Sequence, residues 1–164
     1  MIPYAIRLAK NDKPDFNLIQ KFKSTFSSDC KTHFVGVWDT VSSVGKVYNA
    51  VHFPYTRTNP DLNIVRHALS IDERRAFFRQ NSLRKMHSDQ DIVEQWFSGV
   101  HSDIGGGYEE ENSGLSKIAL EWMLTESREH GVLIDNNKMD EIVGKIPTRK
   151  YCKPETKADA PKKP

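Results

Sequence analysis

An α/β fold with parallel strands is the class this sequence predicts, and three segments predict it. Two short apolar runs, His33–Trp38 and Ile92–Val100, have the length and composition of buried strands. Each delivers a chemically active side chain at its end, Asp39 after the first and His101 after the second. A third segment, Leu115–His130, has the period of an amphipathic helix. Strands alternating with helices imply right-handed crossovers and a parallel sheet covered on both faces. In such sheets the chemistry gathers beyond the C-terminal ends of the strands.

The elements follow in order. Ile2–Lys10 reads as helical, with Ala5, Leu8 and Ala9 clustered, until Pro14 breaks it. Phe16, Ile19, Phe22 and Phe26 then recur at helical spacing. After the strand His33–Trp38, residues Thr40–Pro60 carry Gly45, Pro54 and Pro60 and read as an irregular connection. A helix is expected from Asp61 as N-cap, with Ile64, Val65, Ala68, Leu69 and Ile71 on one broad face, continuing to Phe77 and Phe78. The strand Ile92–Val100 comes next, then a glycine-rich loop, Ser102–Asn112. The clearest helix follows, with Leu115, Ile118, Ala119, Trp122 and Met123 as its stripe and Gly131 at C′.

At 164 residues the chain fits one domain, assigned to residues 1–150. Residues 151–164, rich in Lys and Pro with little to bury, are expected to be a disordered tail. Hydrophobic residues at 37% and charged residues at 28%, mixed in sign, are ordinary for a soluble globular chain. A net charge of +2, with no basic stripe interleaved with aromatics, argues against a nucleic-acid partner. No run of 18 apolar residues exists to cross a membrane, and the first residues lack the pattern of a secretory signal. Cys30 and Cys152 lie far apart and outside any metal-ligand spacing, so they read as free thiols of a chain made in the cytoplasm.

Asp39 follows an apolar strand directly, so its carboxylate is desolvated on one side and needs a partner. It either caps the loop Thr40–Ser43 or orients a histidine, fixing the tautomer and stabilising the imidazolium. His101 stands in Gly99-Val100-His101-Ser102-Asp103-Ile104-Gly105-Gly106-Gly107-Tyr108. Gly105, Gly106 and Gly107 either make a flexible surface turn or let the backbone approach a ligand, even as a nest of N–H donors. The remaining histidines, His67 among them, lie in polar or helical contexts and suggest no chemistry. A metal site of Asp39, His101 and Asp103 is a weaker alternative, and no metal or other cofactor is expected. No serine is flanked as Gly-x-Ser-x-Gly, so the chain offers no evident nucleophile. Ser42 and Ser43 follow Asp39 too closely, and Ser102 is adjacent to His101.

Four blocks resemble a known family. They are Phe34–Gly45, Ala68–Arg75 with Phe78, Trp96–Tyr108, and Leu115–Met123. In order and spacing they are similar to type VI secretion phospholipase effectors, the Tle-type lipases, which are α/β-hydrolase-like. The resemblance implies a Ser-Asp-His triad that cleaves lipid carboxylic esters, with Asp39 matching the acid and His101 the base. The family's nucleophile belongs upstream of Ile2-Pro3-Tyr4-Ala5, because triads of this fold run Ser, Asp, His along the chain. The expectation is therefore a partial α/β-hydrolase-like fold, the C-terminal portion of a lipase domain, inactive alone. The implied substrate is a phospholipid or other lipid ester, and the implied partners are a secretion apparatus and an immunity protein. Such effectors reach a target cell's periplasm or membrane without a cleaved signal. A non-catalytic binding protein derived from the family is the other reading.

Overall fold

The computed structural model describes residues 2–9, 13, 15–28, 32–41, 44–46, 49–51, 58–78, 80–148 and 150–155. They fall into two units, residues 1–31 and residues 32–164. The first is a helix pair, α1 (Ile2–Ala9) and α2 (Phe16–Phe26). Asp15 caps α2, its carboxylate accepting the Leu18 N–H at 3.1 Å. Phe22 joins the aromatics of the unit, its ring 5.6 Å from Tyr4 and 5.1 Å from Phe26.

The second unit is a parallel sheet with helices. Its strands are β1 (Thr32–Trp38), β2 (Val44–Lys46), β3 (Asn49–Val51), β4 (Leu62–Ser70) and β5 (Asp91–Phe97); its helices are α3 (His101–Gly105), α4 (Gly114–Glu129) and α5 (Asn136–Ile142). The main sheet has the order β1-β4-β5 with all strands parallel, and β2 and β3 form a separate antiparallel pair. Thus the α/β class with parallel strands is the fold observed.

The helix expected from Asp61 is not there: residues 62–70 are β4, the central strand. A strand buried on both faces does not alternate, and six consecutive residues, 65–70, are buried. The apolar set Ile64, Val65, Ala68 and Leu69 mimics a helical face by accident of its two buried sides. What betrays the strand is its β-branched pair Ile64-Val65. One consequence is that neither connection between the parallel strands contains an α-helix among the described residues. Between β4 and β5 the chain makes only a short 3-10 turn, Ala76–Phe78. The covering helix is α4, after the third strand. The strand expected over Ile92–Val100 ends earlier, at Phe97, and His101 opens α3 where a loop was expected.

Packing explains the cover. Ala68, Ile104, Ala119 and Met123 form the buried cluster, with Phe34, Phe97 and Trp122 packed around it. Gly36 lets α4 approach β1: a Cβ there would lie 2.6 Å from Met123 Sδ. On the same face Arg66, almost fully buried, ties β4 to β5 through Asp91 at 2.7 Å and to α4 through Glu126. The opposite face buries Val65 and Leu69, with His67 between them.

Of the segment assigned to a tail, residues 151–155 lie at the start of α4. The Glu155 N–H donates to the Gly114 carbonyl at 3.1 Å, and the Cys152 N–H to Glu110 Oε1 at 2.9 Å. Burial pushes the Cys152 thiol above its ordinary pKa. Cys30 and residues 156–164 lie outside the described residues.

Candidate active site

The three parallel strands end almost together, and the site is built where they end. Trp38 pairs with Ala68, so β4 extends two residues beyond β1. The Asp39 N–H still donates to the Ala68 carbonyl, at 2.7 Å, and there the backbone turns with a φ of 42°. Aspartate tolerates this left-handed conformation better than most residues. The turn lays the carboxylate against the last residue of β4. Ser70 donates its N–H to Asp39 Oδ1 at 2.8 Å and its hydroxyl to Oδ2 at 2.7 Å. Oδ2 also accepts from His101 Nδ1, at 2.8 Å. Asp39 has no solvent exposure, so three donors replace the water it has lost.

His101 arrives by a different route. After β5 the chain turns at Gly99, whose φ of 121° and close approach to Asp103 leave no room for a side chain. Asp72 Oδ2 accepts the Gly99 N–H at 2.8 Å, and Asp103 Oδ2 accepts the Val100 N–H at 2.9 Å. Asp103 is thereby occupied in starting α3, half of a capping box. Among the described residues no cluster of three or more His, Cys, Asp or Glu is placed to hold a metal ion. Glu73 Oε2 accepts the His101 N–H at 3.2 Å, and the Phe78 ring lies 4.8 Å from the imidazole.

A carboxylate only accepts, so the neutral imidazole carries its proton on Nδ1. Nε2 then keeps its lone pair, and the side chain is 31% exposed. Such a nitrogen can take a proton from a neighbouring hydroxyl and return it, while Asp39 steadies the cation formed in between.

A further layer holds Asp39 and its loop. Gln80 Nε2 donates to the Ser70 carbonyl at 2.8 Å and to its hydroxyl at 3.3 Å. His67, fully buried, accepts the Thr40 N–H on Nε2 at 3.1 Å and donates from Nδ1 to Glu94 Oε1 at 3.1 Å. Glu94 also receives the Leu83 N–H and the Ser82 hydroxyl. Burial works against its charge, but these donors outweigh it and its carboxyl sits below the ordinary value.

Sequence reasoning missed Ser70, Glu73, Phe78, Gln80 and His67. Four of them, His67, Ser70, Glu73 and Phe78, lie on the segment expected to be helical, where a histidine suggests no chemistry. The available signal was a polar pair, Arg66-His67, in the middle of an apolar run, which requires built-in partners. The glycine run ends a helix. Gly105 ends α3, Gly106 adopts the left-handed cap with a φ of 72°, and the N–H groups of Gly106 and Gly107 both donate to the Ser102 carbonyl. Gly105 and Gly106 also line a cavity of about 220 Å³ with Trp38, Ile104, Ser116 and Leu120.

The pattern of the family described as the type VI secretion system phospholipase effector Tle1-like catalytic domain matches residues 7–126. The chain belongs to this family. The matched segment of this Tle1-like domain takes in β1, β4, β5 and α3, so both Asp39 and His101 lie within it. A Saccharomyces cerevisiae protein described as "Uncharacterized protein YEL023C" is 45% identical over 65 residues. Those residues are 38% of this chain and 9% of the yeast protein, so the chain spans a small part of that relative. No solved structure matches the chain. No helix among the described residues is long and apolar enough to cross a membrane.

Proposed function

We propose that this Tle1-like domain supplies the acid and the general base of a serine-type hydrolase acting on lipid carboxylic esters. The carrying observation is the Asp39–His101 pair, 2.8 Å apart at the ends of parallel strands, with one partner fully buried and the other part-exposed. His101 Nε2 removes the proton of a serine hydroxyl as its oxygen bonds to the ester carbon. The same proton then passes to the alkoxide oxygen as the C–O bond breaks, leaving an acyl-serine that water hydrolyses by the same exchange. Asp39 keeps the ring oriented and offsets the transient imidazolium charge.

The serine is, on this reading, supplied from outside the 164 residues, and the substrate is a phospholipid or related ester met after secretion into a target cell. A secretion apparatus and an immunity protein are the partners that go with this role. The chain by itself is then inactive, because removing one triad member leaves only about 10³–10⁴-fold acceleration over water, and the usual oxyanion donor leaves with the nucleophile.

The test co-expresses the chain with a polypeptide carrying a Gly-x-Ser-x-Gly elbow from the same family and measures phospholipid hydrolysis and fluorophosphonate labelling. Hydrolysis only in the pair, lost on His101→Ala, is the expected result. Labelling of a serine within the chain alone would overturn the incomplete-triad reading. A second reading, a non-catalytic binding protein, is favoured by the sheet itself: among the described residues β1 and β5 each pair on one side only. Co-purification with that partner but no hydrolysis would select it.

A further inference from the structure

We propose that Glu73, Arg75 and Phe78 form a clamp that positions the imidazole of His101, an inference that rests on His101 being the base. A ring hydrogen-bonded through Nδ1 alone can still swing about that bond, and base catalysis needs Nε2 held to within a fraction of an ångström. Asp39 fixes one point. Glu73 fixes a second, the main chain, by accepting the His101 N–H at 3.2 Å. Phe78 fixes a third, lying 4.8 Å from the imidazole with the rings tilted by 46°.

Arg75 joins the last two. Its Nε donates to Glu73 Oε1 at 2.8 Å and its Nη2 to Oε2 at 2.6 Å, a two-pronged pairing, while its own N–H donates to Oε1 at 2.8 Å. The same guanidinium stacks on Phe78, with Cζ 4.0 Å from the ring centroid. The contacts close a circuit from the His101 main chain through Glu73, Arg75 and Phe78 back to the His101 ring. The two carboxyl oxygens of Glu73 divide the work, Oε2 holding both His101 and Arg75. The Glu73 side chain is 2% exposed although Arg75 is 55% exposed, so the acid is enclosed by the contacts it makes. Neither a lysine nor a smaller apolar residue can fork and stack at once. All three are positioning residues: Glu73 holds the main chain of His101, Phe78 packs on its ring, and Arg75 joins the two.

The experiment uses the full chain with isotope-labelled histidine, and reads the His101 ring protons and the Nδ1–H resonance with the ring neutral. In Arg75→Ala the ring-current shift from Phe78 is lost and Nδ1–H exchanges about fivefold faster, as expected when a contact of this class goes. Phe78→Leu gives the reference for complete loss of that shift. Arg75→Lys keeps a cation beside Glu73 and still shows most of the alanine effect. If Arg75→Lys matches wild type, the clamp is only an ion pair and the proposal fails. Unchanged His101 signals in folded Arg75→Ala, checked by the amide spectrum of β4, refute it equally. Absence of a protected Nδ1–H in the wild type would instead sink the Asp39–His101 reading. The Phe78 ring-current comparison would then still decide the clamp.

Discussion

Replacing Asp39 by alanine removes the acceptor of three hydrogen bonds at a point without solvent exposure. The His101 ring can turn its Nδ1–H to solvent, while the Ser70 hydroxyl keeps only the bond it accepts from Gln80 Nε2. The Ser70 main-chain N–H has no such freedom, and a buried orphan donor costs about 1–3 kcal/mol. Alanine at a φ of 42° adds about 1–2 kcal/mol of backbone strain that aspartate and asparagine largely escape. Two charge-assisted bonds, about 1.5–3 kcal/mol each, are also lost, but removing the carboxylate refunds its desolvation. The net expectation for Asp39→Ala is a loss of about 3–5 kcal/mol, in line with breaking a buried pair from one side. Asparagine keeps an oxygen for the Ser70 N–H and accepts the backbone turn, so Asp39→Asn should cost only about 1–2 kcal/mol. With a urea m-value of about 2 kcal/mol/M, the alanine midpoint falls by about 2 M and the asparagine midpoint by less than about 1 M. Urea unfolding followed by circular dichroism and tryptophan fluorescence measures both. Equal midpoints for the two variants would refute the reasoning, because they would mean that water reaches the Ser70 N–H.

Two further outcomes follow from the same geometry. Arg75 is the chief reason that Glu73 titrates at about 2, below its ordinary 4.5. A lowered acid stabilises the fold above its unfolded pKa, so this contribution is full above about pH 4.5 and lost as the pH falls toward 2. The stability difference between wild type and Glu73→Gln should shrink across that window, and a difference flat from pH 5 to 2 would contradict the pairing. Gly36→Ala puts a Cβ 2.6 Å from Met123 Sδ and should cost about 1–3 kcal/mol, toward the lower end because methionine can shift. In a Met123→Ala background that cost should nearly vanish, and simple additivity of the two changes would show that the contact is not the cause.

The two outer strands and α4 were legible because each signals on its own terms. β1 is a β-branched run ending on an acid, and α4 carries one apolar stripe closed by Gly131. β4 was not legible, because its side chains are buried on both faces and its polar members are satisfied by distant residues. Arg66 finds Asp91 and Glu126, 25 and 60 residues away, and His67 finds Glu94 after 27. Local periodicity holds no trace of such partners. The candidate site was legible as Asp39 and His101, since both sit where strands end. Its support was hidden inside the misassigned strand and the segment after it. Once residues 62–78 are read as a helix, Ser70, Glu73 and Phe78 are carried away from the strand ends that meet Asp39 and His101.

The site also depends on a contact far from it. Asp39 reaches Ser70 only because Trp38 pairs with Ala68, and side chains alternate along β1, so a slip of one residue would turn Asp39 to the opposite face. Hydrogen bonds between parallel strands do not choose among registers by themselves. Gly36 does: Met123 of α4 occupies the space where a Cβ would stand. A slip in either direction would bring Val35 or Val37 under that methionine, which would have to give way at a cost to its packing in the Ala68–Ile104–Ala119 cluster. The register that packs α4 most closely is therefore the one that buries the Asp39 carboxylate against Ser70 and points it at His101. A glycine in the middle of β1 fixes the geometry of an acid three residues later.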